Sequence, residues 1–346
     1  MTRPIGYYVH HHGDGHRQRA LAIARGDPRR FVLLGTGLDG RTGEVAAIDL
    51  PDDRMPDTSA FDGHDNTSSR PEALHYAPLN HDNVRARMAR IAQWVAEAKP
   101  ALMVVDVSVE VAMLARLLAT PVVYVRLSGR RDDPAHCEAY RAASHLIAPF
   151  ARQLDDQALP AWIRDKTVYC PGIAADVPRN ILPVAGRVLV VAGKGGAPSD
   201  GARIAVAAAA TPQRRWRVIG PARVPDRCPD NLEFAGWVAD AAGEIAAAEI
   251  VVGAAGDGLV NLVIAAGQPF VCCPEPRPFD EQVRKAQALR SCEAAIVLPQ
   301  WPDADQWPLI LDDAMRLDGR RLAALGDPRG AATALAFLQA VADGQK

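Results

Sequence analysis

Residues 248–299 read AEIVVGAAGDGLVNLVIAAGQPFVCCPEPRPFDEQVRKAQALRSCEAAIVLP. A short β-branched run ends at Gly253, and a glycine-rich turn, Gly256-Asp257-Gly258, opens an apolar helix. AAGQP closes that helix into a second apolar strand ending at Pro274. A loop then delivers Phe279-Asp280-Glu281-Gln282 at the head of another helix. Strand, glycine turn, helix, strand and loop in this order are the unit of a parallel α/β sheet. Two successive strand ends bring backbone amides, Asp257, Asn261, Asp280, Glu281 and Gln282 around one crevice, where carboxylates and amides suit a hydroxyl-rich ligand. The same aspartates could serve only as helix caps.

The alternation extends over the whole chain. Strands are expected at Ile5–His10, Arg30–Gly35, Glu44–Leu50, Ala101–Asp106, Pro121–Arg126, Leu146–Ala148 and Thr167–Cys170. After a proline-rich stretch, Pro171 to Gly186, a second series runs Arg187–Ala192, Arg215–Ile219, Leu232–Phe234, Ile250–Gly253, Pro269–Cys273 and Ala294–Leu298. Helices are expected between them, and a last one at Gly330–Ala342. At roughly 150 residues per domain, 346 residues make two domains. We divide them as 1–170, a linker 171–186, and 187–328, with 329–346 as a terminal helix able to cross back. Pro51 to Asn80 is polar and patternless, a functional or disordered loop.

Two further glycine turns carry chemistry. IGYYVHHHGDGHRQRALAIA (residues 5–24) runs a strand into Gly13-Asp14-Gly15-His16 and at once into a helix. Glycines there let a ligand approach the backbone, the helix N-terminus offers free N–H groups, and His16 at the mouth suits a general base. A tight turn with His16 as a mere cap is the plainer reading. VLVVAGKGGAPSDGARIAVA (residues 188–207) places Gly193-Lys194-Gly195-Gly196 before a helix, a cradle for a diphosphate that lacks the GK[ST] ending of a P-loop. Asp106, ending ALMVVD, could orient an imidazole or cap the next helix. Arg126, Arg130 and Arg131 could meet an anion or belong to a solvated loop.

Composition narrows the classes. Basic residues number 39 and acidic 41, a net charge of −2, which lacks the basic excess expected of a nucleic-acid partner. No apolar run approaches the ~20 residues of a membrane span, and the first sixteen residues do not read as a secretory signal. The six cysteines form no CxxC pair, so a reducing cytoplasm is expected. All nine histidines lie at or before His145, so imidazole chemistry belongs to the first domain. His10-His11-His12 invites a metal, but alternate strand residues face opposite ways and no HExxH or carboxylate cluster accompanies them; no metal is expected.

With these motifs in hand, residues 253–298 resemble the donor-binding domain of glycosyltransferase family 28, typified by the N-acetylglucosaminyltransferase that makes lipid II. GDGHRQRALAIA resembles that family's GGxGGHxxPALAxA loop and is also similar to the GxGHxxRxLxLA loop of the UDP-sugar hydrolase of pseudaminic acid synthesis. GKGGA resembles the family's GGSxGA loop. The resemblance implies a GT-B fold, two Rossmann-like domains facing across a cleft. It implies an inverting, metal-independent transferase with no cofactor, a UDP-linked sugar as donor, and a small-molecule or lipid-linked acceptor, the latter allowing contact with the inner membrane face. Gly13, Gly15 and His16 would stand on the acceptor and sugar side, and Gly195 and Gly196 near phosphate. Gly256, Asp257, Gly258, Asp280, Glu281 and Gln282 would meet phosphate and sugar. Where the family usually has a ribose-binding Glu, this chain has Leu262, which leaves three readings: the neighbouring Asn261 substitutes, the nucleotide is held differently, or the site is degenerate. A nucleotide-sugar hydrolase and a non-catalytic binding protein are the alternatives.

Overall fold

A computed structural model describes residues 2–11, 14–56, 67–173, 176–178, 180–193 and 199–345. In the first half, strands β1 (Ile5–Val9), β2 (Phe31–Gly35), β3 (Ala46–Asp49), β4 (Leu102–Asp106), β5 (Val122–Val125), β6 (His145–Ala148) and β7 (Thr167–Tyr169) form one sheet. Helices α1 (Gly15–Ala24), α2 (Asp82–Ala98), α3 (Val109–Leu117), α4 (Pro134–Ala142) and α5 (Ala161–Lys166) connect them. The order is β3-β2-β1-β4-β5-β6-β7 and every pairing is parallel. All five residues of β1 and of β4 are buried, because helices cover both faces of a parallel sheet. Gly6 is required at its place: a Cβ there would lie 2.3 Å from Met103 Sδ and 2.7 Å from the Trp94 ring of α2.

The second half repeats the plan. Its strands are β8 (Arg187–Val191), β9 (Ser199–Asp200), β10 (Arg215–Ile219), β11 (Ala222–Arg223), β12 (Leu232–Gly236), β13 (Ile250–Gly253), β14 (Phe270–Cys272) and β15 (Ile296–Val297). Its helices are α6 (Gly201–Ala209), α7 (Ala241–Ala246), α8 (Asp257–Ala266), α9 (Glu281–Ser291), α10 (Trp307–Met315), α11 (Gly319–Ala323) and α12 (Gly330–Ala342). The main sheet runs β12-β10-β8-β13-β14-β15, all parallel, and β9 pairs only with β11. Each large sheet therefore reverses direction beside its first strand, between β1 and β4 and between β8 and β13. Ligands of open α/β sheets bind at the carboxyl ends of the strands at such switch points.

The expected strands fall within a residue or two of the observed ones. The helix expected after the strand Ala294–Leu298 is divided: a capping box joins Asp303 to Gln306 over a 3-10 turn, and α10 starts only at Trp307, with Pro308 in its first turn. Proline has no N–H to continue a helix but is tolerated at such a start. Helices α5 and α11, of six and five residues, are too short to show periodicity.

The halves interlock. Ala334, Phe337 and Leu338 of α12 lie in the same core as Ile5, Tyr7 and Leu21. Gln339 Nε2 donates to Asp27 at 2.8 Å, and Arg30 pairs with Asp343. Gly330 sits where a Cβ would be 1.9 Å from the Pro171 carbonyl oxygen, so only glycine lets α12 begin against the crossing chain. In return Ala148, Phe150, Ala151 and Leu154 of the first half pack in the core formed by β13, α8 and α9.

Candidate active site

Beyond Val9 the chain leaves the sheet through His10 and His11 and re-enters helix at Gly15. Asp14, just before α1, is gripped by Arg17 (Nε 3.0 Å), Gln18 (2.9 Å) and Arg41 (3.2 Å), which fix the turn from the solvent side. His16, in the first turn of α1, places Nδ1 3.0 Å from Asp106 Oδ1 at the end of the neighbouring strand β4. Asp106 is wholly buried. Arg19, one turn further along α1, clasps it with Nε on Oδ2 and Nη2 on Oδ1, both at 3.0 Å, and Tyr7 Oη donates at 3.4 Å. Burial alone would raise the Asp106 carboxyl; Arg19 and His16 outweigh it and hold it well below the usual carboxylate range. Asp106 is thus an anion at neutral pH. Arg19 Nη2 also lies 2.9 Å from His16 Nδ1; in the tautomer whose Nδ1–H donates to Asp106, His16 Nε2 carries a lone pair able to take a proton. Val107 follows with φ +59°, left-handed backbone that is rare for a β-branched residue.

His10 and His11 stack at 4.8 Å, and the His10 ring is 5.4 Å from that of His16. Burial first, then the His16 and His11 rings, push His10 down to about 3, so at neutral pH it is an uncharged neighbour and a poor base. His11 Nδ1 lies 3.0 Å from Asp53, and with Asp52 and Asp53 forms a group close enough to share a cation. Arg87 is already 2.9 Å from Asp53 and Arg54 pairs with Asp52, so arginines balance both carboxylates.

Across the cleft, Gly256 precedes α8 and Asp257 opens it. A Cβ on Gly258 would meet nothing within 4 Å, and the same holds for Gly15 at the head of α1. Both helix starts therefore face open space, as an anion approaching the N–H groups requires. Asp257 Oδ1 forms an ion pair with the fully buried Lys285 of α9. Burial would raise the Asp257 carboxyl; Lys285 and the first-half Arg19 bring it down. Gln282 Oε1 accepts from Glu275 N at 2.9 Å and Ala255 N at 3.2 Å, tying the loop after β14 to the loop after β13. Asn261 Nδ2 reaches the Pro149 carbonyl at 3.5 Å, and Leu262 packs on the second core.

Phe279 and Asp280 both have positive φ, 62° and 51°, which turns the loop into the first half. There the Phe279 carbonyl accepts from Arg130 N at 2.7 Å, and the Arg131 guanidinium lies 4.4 Å from the Phe279 ring centre. Arg131 also donates to Glu281 at 3.2 Å. His75 and His136 flank the same ring at 5.5 and 5.0 Å. Gly129 lets the loops meet, since a Cβ would stand 2.6 Å from the Phe279 oxygen. Arg126 does not face a ligand: it is buried against Asp155 and Thr167. Both sequence readings of that arginine, anion contact and solvated loop, are thereby corrected.

The structure thus brings together His16 with Asp106, and Gln282 with Ala255 in the turn before Asp257, while Glu281 turns to Arg131. Gly13, Lys194, Gly195 and Gly196 lie outside the described residues. Sequence reasoning missed Arg19, which follows the first glycine turn, and Lys285, which reads as an ordinary cation within α9; it named His10 and Arg131 without their partners His16 and Glu281.

Beside this cluster, a cavity of about 370 Å³ opens among β1, α2, α3 and the segments on either side of residues 57–66. Tyr8, Met55, Val84 and Met88 contribute its apolar wall, and His10, His75 and Glu110 face it.

No protein-family model matches this chain, and no curated protein sequence does. Solved structures do. A spinosyn rhamnosyltransferase complexed with thymidine diphosphate superposes with a TM-score of 0.68 at 16% identity, over 97% of this chain and 100% of that one. The glycosyltransferase SnogD of Streptomyces nogalater gives 0.68 at 16% identity, over 98% and 99%. The chain has the GT-B fold. MurG of Acinetobacter baumannii superposes at 0.64 with 15% identity, over 97% and 99%. Among the described residues no helix is long and apolar enough to cross a membrane.

Proposed function

We propose that this protein is a glycosyltransferase that moves a sugar from a nucleotide-diphosphate sugar, UDP-linked in our reading, to an acceptor hydroxyl with inversion. The observation that carries the reading is the His16–Asp106 pair at the first switch point, set across the cleft from the open start of α8. The acceptor hydroxyl gives its proton to His16 Nε2 as its oxygen forms the new bond to the anomeric carbon. The bond from that carbon to the diphosphate oxygen breaks on the opposite face. Charge developing on the leaving diphosphate is received by the N–H groups and dipole of α8 around Gly256 and Gly258. Asp106 keeps the imidazole oriented and steadies it when protonated. No residue in this scheme calls for a metal ion or cofactor.

One observation favours a second reading, a nucleotide-sugar hydrolase. Arg19 occupies the arginine position of the GxGHxxRxLxLA loop, and it clasps Asp106 with two hydrogen bonds. In that case water takes the place of the acceptor and His16 activates it.

The first test is thermal-shift binding of nucleoside diphosphates and nucleotide-sugars with and without Mg²⁺. A ligand at a hundredfold excess over its dissociation constant stabilises by about 2.7 kcal/mol. A magnesium-independent shift is expected for uridine nucleotides, and no shift with any nucleotide would overturn both enzymatic readings. Turnover without acceptor, giving free sugar at the full rate, would replace the transferase by the hydrolase.

A further inference from the structure

The cavity beside the proposed acceptor end has a charge pattern that the nucleotide-sugar reading does not use. Its volume of about 370 Å³ is near the lower end of small-molecule pockets, ~300–1,000 Å³. That accommodates one or two rings and not a long chain. Tyr8, Met55, Val84, Met88 and Val111 make much of its wall apolar.

Two carboxylates face it, and they differ. Asp53 is matched by Arg87 at 2.9 Å and bonded to His11 at 3.0 Å. Glu110 is held by amides: Oε1 accepts from His75 N at 2.6 Å and Tyr76 N at 2.7 Å. Among the described residues no lysine or arginine forms an ion pair with it. Burial raises the Glu110 carboxyl, outweighing these amides and the His136 imidazole, which acts on it only through space. Two of the lining imidazoles do not supply a cation. His10 is pushed down to about 3, and His75 to about 4 by burial and by His136. Arg54 reaches the lining but is exposed and occupied by Asp52. Among the described residues Glu110 is therefore the one carboxylate of the cavity without an ion pair, set against an apolar wall, and a carboxylate withdrawn from water gains most from a cationic partner.

Resting on the transferase reading, we propose that the first-half cavity selects as acceptor a small, ring-bearing alcohol or phenol that carries a cationic nitrogen, with Glu110 as the specificity-determining residue. The ring packs on Met88 and Tyr8, the ammonium meets Glu110, and the hydroxyl reaches the His10–His16 end. An acceptor that is itself anionic, a phosphate or diphosphate of a lipid included, is disfavoured in this cavity.

Three near-isosteric probes separate the charges: tyramine (cation), 4-ethylphenol (neutral) and 4-hydroxyphenylacetate (anion). Their dissociation constants are measured by ligand-observed NMR on the full chain at pH 7.5. Tyramine is expected to bind roughly tenfold more tightly than 4-ethylphenol and 4-hydroxyphenylacetate more weakly still, tenfold being about 1.4 kcal/mol. Glu110→Gln keeps an oxygen for the two amides. It should bring tyramine to within about threefold of 4-ethylphenol while 4-ethylphenol is unchanged. Met88→Trp, filling the cavity, should abolish all three. Equal binding of the anion and the cation, no binding of any probe, or a tyramine preference that survives Glu110→Gln would overturn the proposal. Binding of UDP to the same samples scores the donor reading separately, so loss of one is not mistaken for loss of the other.

Discussion

The two switch points share one topology and are built from opposite electrostatics. At the first, between β1 and β4, the anion Asp106 is surrounded by Arg19, His16 and Tyr7, with His16 in the first turn of α1. At the second, between β8 and β13, Asp257 is consumed by Lys285, and what faces the cleft is backbone at Gly256 and Gly258. One end offers an imidazole side chain and the other offers backbone amides. In a reaction that takes a proton on one side of a carbon and releases an anion on the other, that division is the useful one. Side chains of the second point, carboxylates included, then act mainly as scaffold.

The sharpest way to break this contrast is His16→Ala. It should cost about 10²–10⁴-fold in transfer rate while leaving UDP binding intact; unchanged turnover would remove His16 from the mechanism. Next is Lys285→Met, which strands Asp257 as a buried charge. Urea unfolding should show a loss of about 3–5 kcal/mol, and adding Asp257→Leu should recover most of it, since replacing both partners by apolar groups is often nearly neutral. If the single variant is as stable as the parent, Asp257 is not held as described.

The contrast also predicts which half fails in acid. His10 and His75 have folded values of about 3 and 4 against an ordinary value near 6.5. Between those limits the unfolded chain binds more protons, so stability rises with pH there. It is fully present above pH ~6.5 and falls as the pH drops toward 4. No histidine lies beyond His145. Hydrogen exchange at pH 5 should therefore show β1 and its neighbours opening before β13, and His75→Asn should flatten the acid limb. Gly129→Ala should cost about 1–3 kcal/mol, because its φ of +101° and the Phe279 oxygen both oppose a side chain. The smallest expected effect is Gly258→Ala: melting should move little, because the space above it is open, while UDP binding weakens as the methyl group enters the phosphate's path.

Much of the fold was legible because parallel strands buried on both faces are written as short β-branched runs, such as LMVVD at β4 and IVVG at β13, broken by glycine turns. The turns also marked the switch points. The pairings within them were not legible. His16 and Asp106 are 90 residues apart, Arg19 and Asp106 87, and no local spacing announces either contact. Lys285 stood in plain sight in EQVRKAQALR as an ordinary helix cation until the fold turned it onto Asp257. The cavity was invisible for a different reason. Its wall includes Asp53, Met55, His75 and Tyr76 from the polar stretch after Leu50, which has no periodicity, and Glu110 reads as a first-turn helix acid until His75 and Tyr76 come to rest on it.

The packing of α12 against α1 has a consequence for how the protein is made. The first domain's core includes Phe337 and Leu338, so its final helix is synthesised only after the entire second domain. At ~5–20 residues per second, the roughly 160 residues between Tyr169 and Gly330 take on the order of ten to thirty seconds to emerge. During that interval the groove beside α1 waits without its cover. The second domain can fold first, and the arrival of the chain's last helix is the event that seals the half whose synthesis began it.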